Sequence, residues 1–276
     1  HYKKVLDFLP RFQVEAGRSL DYSLCYPRHA FDKRSMRWDM NYFKYYFLKL
    51  APIPFDEQKL EDAFQSFTEY LLQVDSKYFL YRDFQSRNIM IYNGEPYFID
   101  YQGGRKGALQ YDLASLLYDA KANIPFDIRE KLIDYYLKRL NEYVKVDKKQ
   151  FVSYFYAFVA IRIMQAMGAY GFRGFYERKP LFLQSIPYAV NNIRWLLDNH
   201  KLPDELGYIR EIFEKIAVEK KLVAIKTENK RLKVSISSFS YKKGMPDDPG
   251  GNGGGYVFDC RALPNPGRYT EYQSLT

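Results

Sequence analysis

The sequence has few of the residues that staple or metallate a fold. Only two of its 276 residues are cysteine, Cys25 and Cys260, far apart and outside any C-x-x-C spacing. That argues against a disulfide framework or a thiolate zinc site, and the two thiols are expected to be reduced, as in a cytoplasmic protein. In VFDCR, Cys260 reads as a small core residue rather than a nucleophile, since no histidine lies near it in sequence. The three histidines, His1, His29 and His200, show no metal-ligand spacing. No stretch resembles a signal peptide or a spanning helix, and the longest apolar run, near Phe155 to Ile161, is cut by Arg162. The chain also lacks an initiator Met at His1 and an obvious terminus at Thr276, so it is expected to be a fragment at both ends. Internal repeats are absent. The expectation is a cytoplasmic protein with no membrane partner.

Aromatic residues and positive charge are abundant. With 27 Tyr, 21 Phe and 47% apolar residues the chain can bury a sizeable core. Much of the tyrosine is expected at core edges and clefts, where its two-sided chemistry fits. The net charge of +9 favours anionic partners such as nucleotides, sugar phosphates or RNA, without choosing among them.

Apolar periodicity places helices first. Val5, Leu6, Leu9 and Phe12 fall at helical spacing, interrupted or qualified by Pro10. Met36, Met40, Phe43, Phe47 and Leu50 define a helix from Ser35 that Pro52 and Pro54 end, with Trp38 and Tyr42 read as core. Leu60, Phe64, Phe67 and Leu71 define the next, about 57–74. Further helices are expected at DLASLLYDAK, capped by Asp112, and at about 127–143, 149–170, 189–200 and 208–220. Pro180 and Pro187 bracket a turn. Beyond Pro203 the pattern becomes strand-like in LVAIKTE and RLKVSISSFSY, then Pro/Gly-rich in GMPDDPGGNGGGY, then strand-like again in YVFDCRALPNPGRY. The domain boundary is set at residues 205/206.

The stretch from Tyr81 to Leu117 carries the chemistry. Asp83 is followed five residues later by Asn88, and Asp100 comes twelve after that. Between Asn88 and Asp100 lie IMIY and PYFID, joined by Asn93-Gly94, a strong hairpin signal. A hairpin folds Asp100 back beside Asn88. Alone, each of the three residues is most simply a turn or cap residue. Together they match the needs of phosphoryl transfer, a carboxylate for the attacking hydroxyl and oxygen ligands for a phosphate-bound metal.

YRDFQSRN, FIDYQ and GALQYDLASLLYD resemble the H-x-D-x-x-x-x-N, I-D-x-x and G-x-x-x-Y-D-L-A blocks of the aminoglycoside phosphotransferase and choline kinase family. Within it they are most similar to the bacterial N-acetylmuramate and N-acetylglucosamine kinases. The resemblance implies an α+β fold over residues 1–205, the mostly helical C-lobe of a protein-kinase-like phosphotransferase with a small β-hairpin at its catalytic loop. It implies an ATP- and Mg-dependent kinase acting on an amino sugar, with Asp83 as catalytic base and Asn88 and Asp100 as metal ligands. Asp112 and Arg82 are implied as structural supports. Arg87, Gln102, Arg173, Tyr176 and Arg178 are candidates to bind substrate, though GFRGFYERKP reads equally as a solvated loop. Tyr81 stands where the family has His. The family's N-terminal lobe, with its Gly-rich loop and strand Lys, finds no counterpart, so this chain alone is expected to be inactive.

SFSYKKGMPDDPGGNGGGYVFDCRALPNPGRY resembles the start of the C-terminal domain of RapZ-type proteins. That implies a small α/β segment over 206–276 that senses an amino-sugar phosphate and binds RNA. From Tyr208 to Met245, ten Lys or Arg face four Glu, which suits RNA phosphates or simply a solvated face. The alternative for the whole chain is a non-catalytic amino-sugar or nucleotide sensor whose RapZ-like part binds RNA or a protein.

Overall fold

The computed structural model describes residues 1–223 and, beyond them, 225, 238–240, 242, 244 and 257–259. The chain divides into two compact units, His1–Glu228 and Asn229–Thr276.

The first unit is built round the helix Lys148–Tyr170. Its apolar residues run all the way round, and Phe151, Phe155, Phe158, Ile161, Met164 and Met167 are all buried. A helix apolar on every side must be enclosed, and each such side chain contributes roughly 1.5–3 kcal/mol on burial. Helices Lys33–Phe43 and Leu109–Leu117 pack on it from different directions. Counted to Tyr176, this helix is long and apolar enough to cross a membrane by length and composition, but most of its apolar window lies inside the protein. Arg162 does not interrupt it, because its guanidinium is satisfied by neighbouring side chains.

Local sequence fixes the helix starts. Asp32, Asp56 and Asp147 each cap a helix by accepting the amide three residues on, from Ser35 at 2.9 Å, Lys59 at 2.9 Å and Gln150 at 2.7 Å. Helix Glu57–Leu71 follows with Leu60, Phe64, Phe67 and Leu71 inward. Helix Phe126–Leu140 packs on Tyr2–Pro10. Pro10 ends no helix; the chain continues through it into a π-helical turn, Arg11–Ala16. Two more helices run on into π turns, Lys44–Leu48 and Gly171–Tyr176. These two meet backbone to backbone, since a Cβ on Gly171 would collide with the carbonyl oxygen of Tyr46.

Some expectations change. Helix Ile186–Asp198 starts earlier than expected and holds Pro187 in its first turn, where a missing N–H costs nothing. Trp38 is 45% exposed rather than core, with Arg28 and Arg34 over its ring. Helix Tyr208–Val218 was placed with the second segment, but it buries Ile209, Ile212, Phe213 and Ile216 against helices Glu57–Leu71 and Ile186–Asp198. In LVAIKTE, Leu222 and Val223 belong to a short helix, Lys220–Val223, rather than a strand. Residues 238–240 and 257–259 form no strand, and the remainder of the strand-like and Pro/Gly-rich stretches lies outside the described residues.

Two antiparallel ladders position the candidate site. Strand β1 (Tyr78–Leu80) pairs with β4 (Arg105–Gly107), in register Phe79 to Lys106. Strand β2 (Ile89–Tyr92) pairs with β3 (Glu95–Phe98), in register Met90 to Tyr97. The expected hairpin is present, and Asn93 and Gly94 have φ of 50° and 78°, as its tight turn requires.

Candidate functional site

Two loops face each other between these ladders. Residues 81–88 join β1 to β2, and residues 99–104 join β3 to β4. The first is held from below by Asp112, whose side chain is fully buried. Its Oδ2 accepts the backbone N–H of Tyr81 at 2.8 Å and its Oδ1 that of Arg82 at 2.9 Å. Asp112 thus serves two backbone amides of this loop and is not the helix cap expected from its position. The helix begins at Leu109 with Ala108 at its N-cap, so Asp112 sits inside the first turn and serves another segment's amides. Burial pushes its carboxyl up to about 7, although the two amide donors pull the other way.

Arg82 is held at φ 76°, in the left-handed region that ordinary residues avoid. Its Nη2 donates to Asp39 Oδ1 at 2.9 Å, and both side chains are largely buried. Burial disfavours the guanidinium charge, yet Asp39 beside it carries the net shift upward. Asp39 was not foreseen as a site residue. The available signal was a carboxylate on a helix face otherwise occupied by Ser35, Met36, Met40 and Phe43.

Asp83 follows, half-buried, with its Oδ1 accepting from the Gln85 amide at 3.1 Å. Asn88 is buried and joins the two loops. Its Nδ2 donates to the Asp83 carbonyl at 2.9 Å and to Asp100 Oδ2 at 3.2 Å. The backbone repeats the link, since Ile99 N–H donates to the Asn88 carbonyl at 3.1 Å. Asp100, at φ 69°, is exposed, and Gln102 Nε2 donates to its Oδ1 at 2.5 Å. Gln102, expected near the substrate, therefore braces Asp100. The Tyr81 hydroxyl donates to the Ile99 carbonyl at 2.8 Å, tying the loops a third time. Burial, with the charges of Asp100 and Asp112, pushes that phenol up to about 12.

With its Nδ2 committed to two acceptors, Asn88 keeps its Oδ1 close to the exposed carboxylate of Asp100. No cluster of three or more His, Cys, Asp or Glu able to hold a metal occurs among the described residues. The pair instead fits a hard cation that takes most of its ligands from water and substrate phosphates, which is the habit of magnesium.

Of the other candidates, Arg87 lies in the first loop and the rest lie elsewhere. Arg87 is exposed on the 3-10 turn Ser86–Asn88. Arg173 and Tyr176 are exposed on the π turn Gly171–Tyr176, with Arg173 5.3 Å from the centre of the Phe182 ring. Arg178 is exposed just beyond, at φ 56°. No hydrogen bond or ion pair among the described residues joins Arg173, Tyr176 or Arg178 to the loops at Asp83 and Asp100.

Comparison with known proteins bears on sequence family and fold. Residues 20–147 match the phosphotransferase enzyme family, and residues 232–276 match the RapZ C-terminal domain. The fold is similar to that of amicoumacin kinase hAmiN, solved in complex with AMP-PNP, Ca2+ and Ami, with a TM-score of 0.51 at 14% identity. The similarity covers 81% of this chain and 60% of that one, so the chain spans about three fifths of the kinase's length. No curated protein matches in sequence. The described chain therefore has the α+β fold of a small-molecule kinase, and its central segment resembles phosphotransferases in sequence as well.

Proposed function

We propose that the protein to which this chain belongs is an ATP- and magnesium-dependent phosphotransferase that phosphorylates a hydroxyl of an amino sugar of the N-acetylmuramate or N-acetylglucosamine type. The observation that carries the reading is the convergence of Asp83, Asn88 and Asp100 through the 2.9 Å and 3.2 Å hydrogen bonds of one Asn88 amide. Asp83 is the base. It takes the proton from the acceptor hydroxyl as that oxygen bonds to the γ-phosphorus and ADP departs. Asn88 Oδ1 and Asp100 would hold the metal, which would supply the positive charge that phosphoryl transfer needs. Asp112 and the Arg82–Asp39 pair keep the loop in its strained shape. Tyr81 takes over loop-bridging through its hydroxyl, so the absence of His at this position is compatible with activity.

Transfer is proposed for the full-length protein. The RapZ-like segment is proposed to bind RNA or a protein partner in the cytoplasm, a reading supported by the match of residues 232–276 to the RapZ C-terminal domain. Full-length protein given ATP, Mg2+ and either sugar should release ADP and a sugar phosphate. Sugar binding without any ADP release would favour the sensor instead.

A further inference from the structure

We infer that Gln85 and Gln102 are a pair of positioning residues, each holding one oxygen of the carboxylate two residues before it, so that Asp83 faces the acceptor hydroxyl and Asp100 faces the metal. The inference deepens the phosphotransferase reading and rests on it.

The sequence repeats one short pattern in the two facing loops, Asp83-Phe84-Gln85 and Asp100-Tyr101-Gln102. Both copies close the same internal hydrogen bond. Gln85 Nε2 donates to Asp83 Oδ1 at 3.1 Å, and Gln102 Nε2 donates to Asp100 Oδ1 at 2.5 Å.

Gln85 is itself fixed. Its backbone N–H donates to the Asp83 carbonyl at 2.9 Å, and its own carbonyl accepts the Asn88 N–H at 2.9 Å. Phe84, between the pair, is buried and stacks on Phe98 with ring centres 5.6 Å apart. The amide that reaches Asp83 therefore leaves from an anchored turn. With Oδ1 taken, Asp83 keeps Oδ2 clear of any hydrogen bond among the described residues, and Oδ2 is the oxygen left to take the proton. Asp100 divides its oxygens between two amides, Gln102 on Oδ1 and Asn88 on Oδ2, which sets the plane of its carboxylate.

Both braces are neutral. Arg82, the cation next to Asp83 in sequence, is paired with Asp39, and no ion pair reaches Asp83 or Asp100 among the described residues. A carboxylate oxygen has two lone pairs, so an amide fixes its direction and leaves the other free for a proton or a cation. A Lys or Arg in the same place would bond more strongly, but its charge would oppose both tasks.

The two braces hold groups with different tasks, so their removal should differ in kind. The assay is single-turnover ADP release by the full-length protein with ATP, Mg2+ and N-acetylglucosamine. Gln85→Leu should lower the rate at saturating substrates and Mg2+ by about tenfold or more, with KM for ATP and sugar close to wild type. Gln85→Glu should be slower still, since a like charge then faces Asp83. Gln102→Leu should instead raise the Mg2+ concentration for half-maximal rate by about tenfold. Titration with Mn2+ alone, followed by its paramagnetic resonance signal, should show binding about tenfold weaker in Gln102→Leu and as in wild type in Gln85→Leu. Variants indistinguishable from wild type, or the same change in both, overturn the inference and leave the kinase reading intact. Gln102 is exposed, so Gln102→Leu reports on its brace even if Gln85→Leu is too unstable to assay. If wild type releases no ADP, the kinase reading fails and the Mn2+ titration decides the brace separately: weaker binding by Gln102→Leu upholds it, and equal or absent binding overturns it.

Discussion

Asp112 accepts the backbone N–H of Arg82 at 2.9 Å across thirty residues of chain, and with its other oxygen accepts that of Tyr81. One buried carboxylate thereby fixes the start of the loop that carries Asp83. Replacing it with alanine leaves two buried amides without acceptors, at about 1–3 kcal/mol each. Asp112→Ala is expected to lose about 2–5 kcal/mol in urea denaturation, and Asp112→Asn, which keeps one acceptor oxygen, distinctly less.

The same residue makes stability depend on pH. Its folded carboxyl is raised to about 7, above the unfolded value near 3.8. A raised group contributes its stability below the unfolded value and loses it as pH climbs through the folded one. The stability of the wild type relative to Asp112→Asn should therefore fall between about pH 4 and pH 7 and level off above. Denaturation midpoints for both proteins across that range give the answer, and parallel curves would show that Asp112 does not titrate there.

Much of this site was legible in the sequence because hairpin chemistry is local. Asn93-Gly94 sets the turn, the turn sets the register, and the register brings Asp100 to Asn88. The role of Asp112 was legible in kind but not in detail, since which amides a first-turn carboxylate serves depends on the segment packed above it. Asp39 was missed because its partner is forty-three residues away, and one charged residue on an apolar helix face does not announce which cation it meets. The second ladder, β1 with β4, was also missed, being three residues a side with a whole hairpin between its strands.

The Arg82–Asp39 pair holds a strained residue in place. Removing one partner strands a buried charge, at about 3–5 kcal/mol. Asp39→Ala and Arg82→Ala are each expected to destabilise by that order. The double variant should cost much less than the sum, as urea denaturation of the four proteins would reveal; additive losses would mean the pair is not coupled.

Tyr81 bridges the loops through its hydroxyl at 2.8 Å from the Ile99 carbonyl. Tyr81→Phe keeps the ring and loses the bridge, so a loss of about 0.5–1.5 kcal/mol is expected. Retained stability with an unchanged rate of ADP release would remove Tyr81 from the account of loop positioning.

Gly171 lets two π turns touch. Gly171→Ala forces a Cβ into the carbonyl of Tyr46, and the backbones must separate. A loss of about 1–3 kcal/mol is expected from overpacking, read as a lower thermal midpoint.

The most direct test of the central claim is single-turnover ADP release by full-length wild type and Asp83→Asn at saturating ATP, Mg2+ and amino sugar. The variant keeps the shape and hydrogen-bonding reach of the side chain and loses its basicity. The account predicts a rate lower by about 10²–10⁴-fold with nucleotide binding retained. An unchanged rate in Asp83→Asn would contradict it.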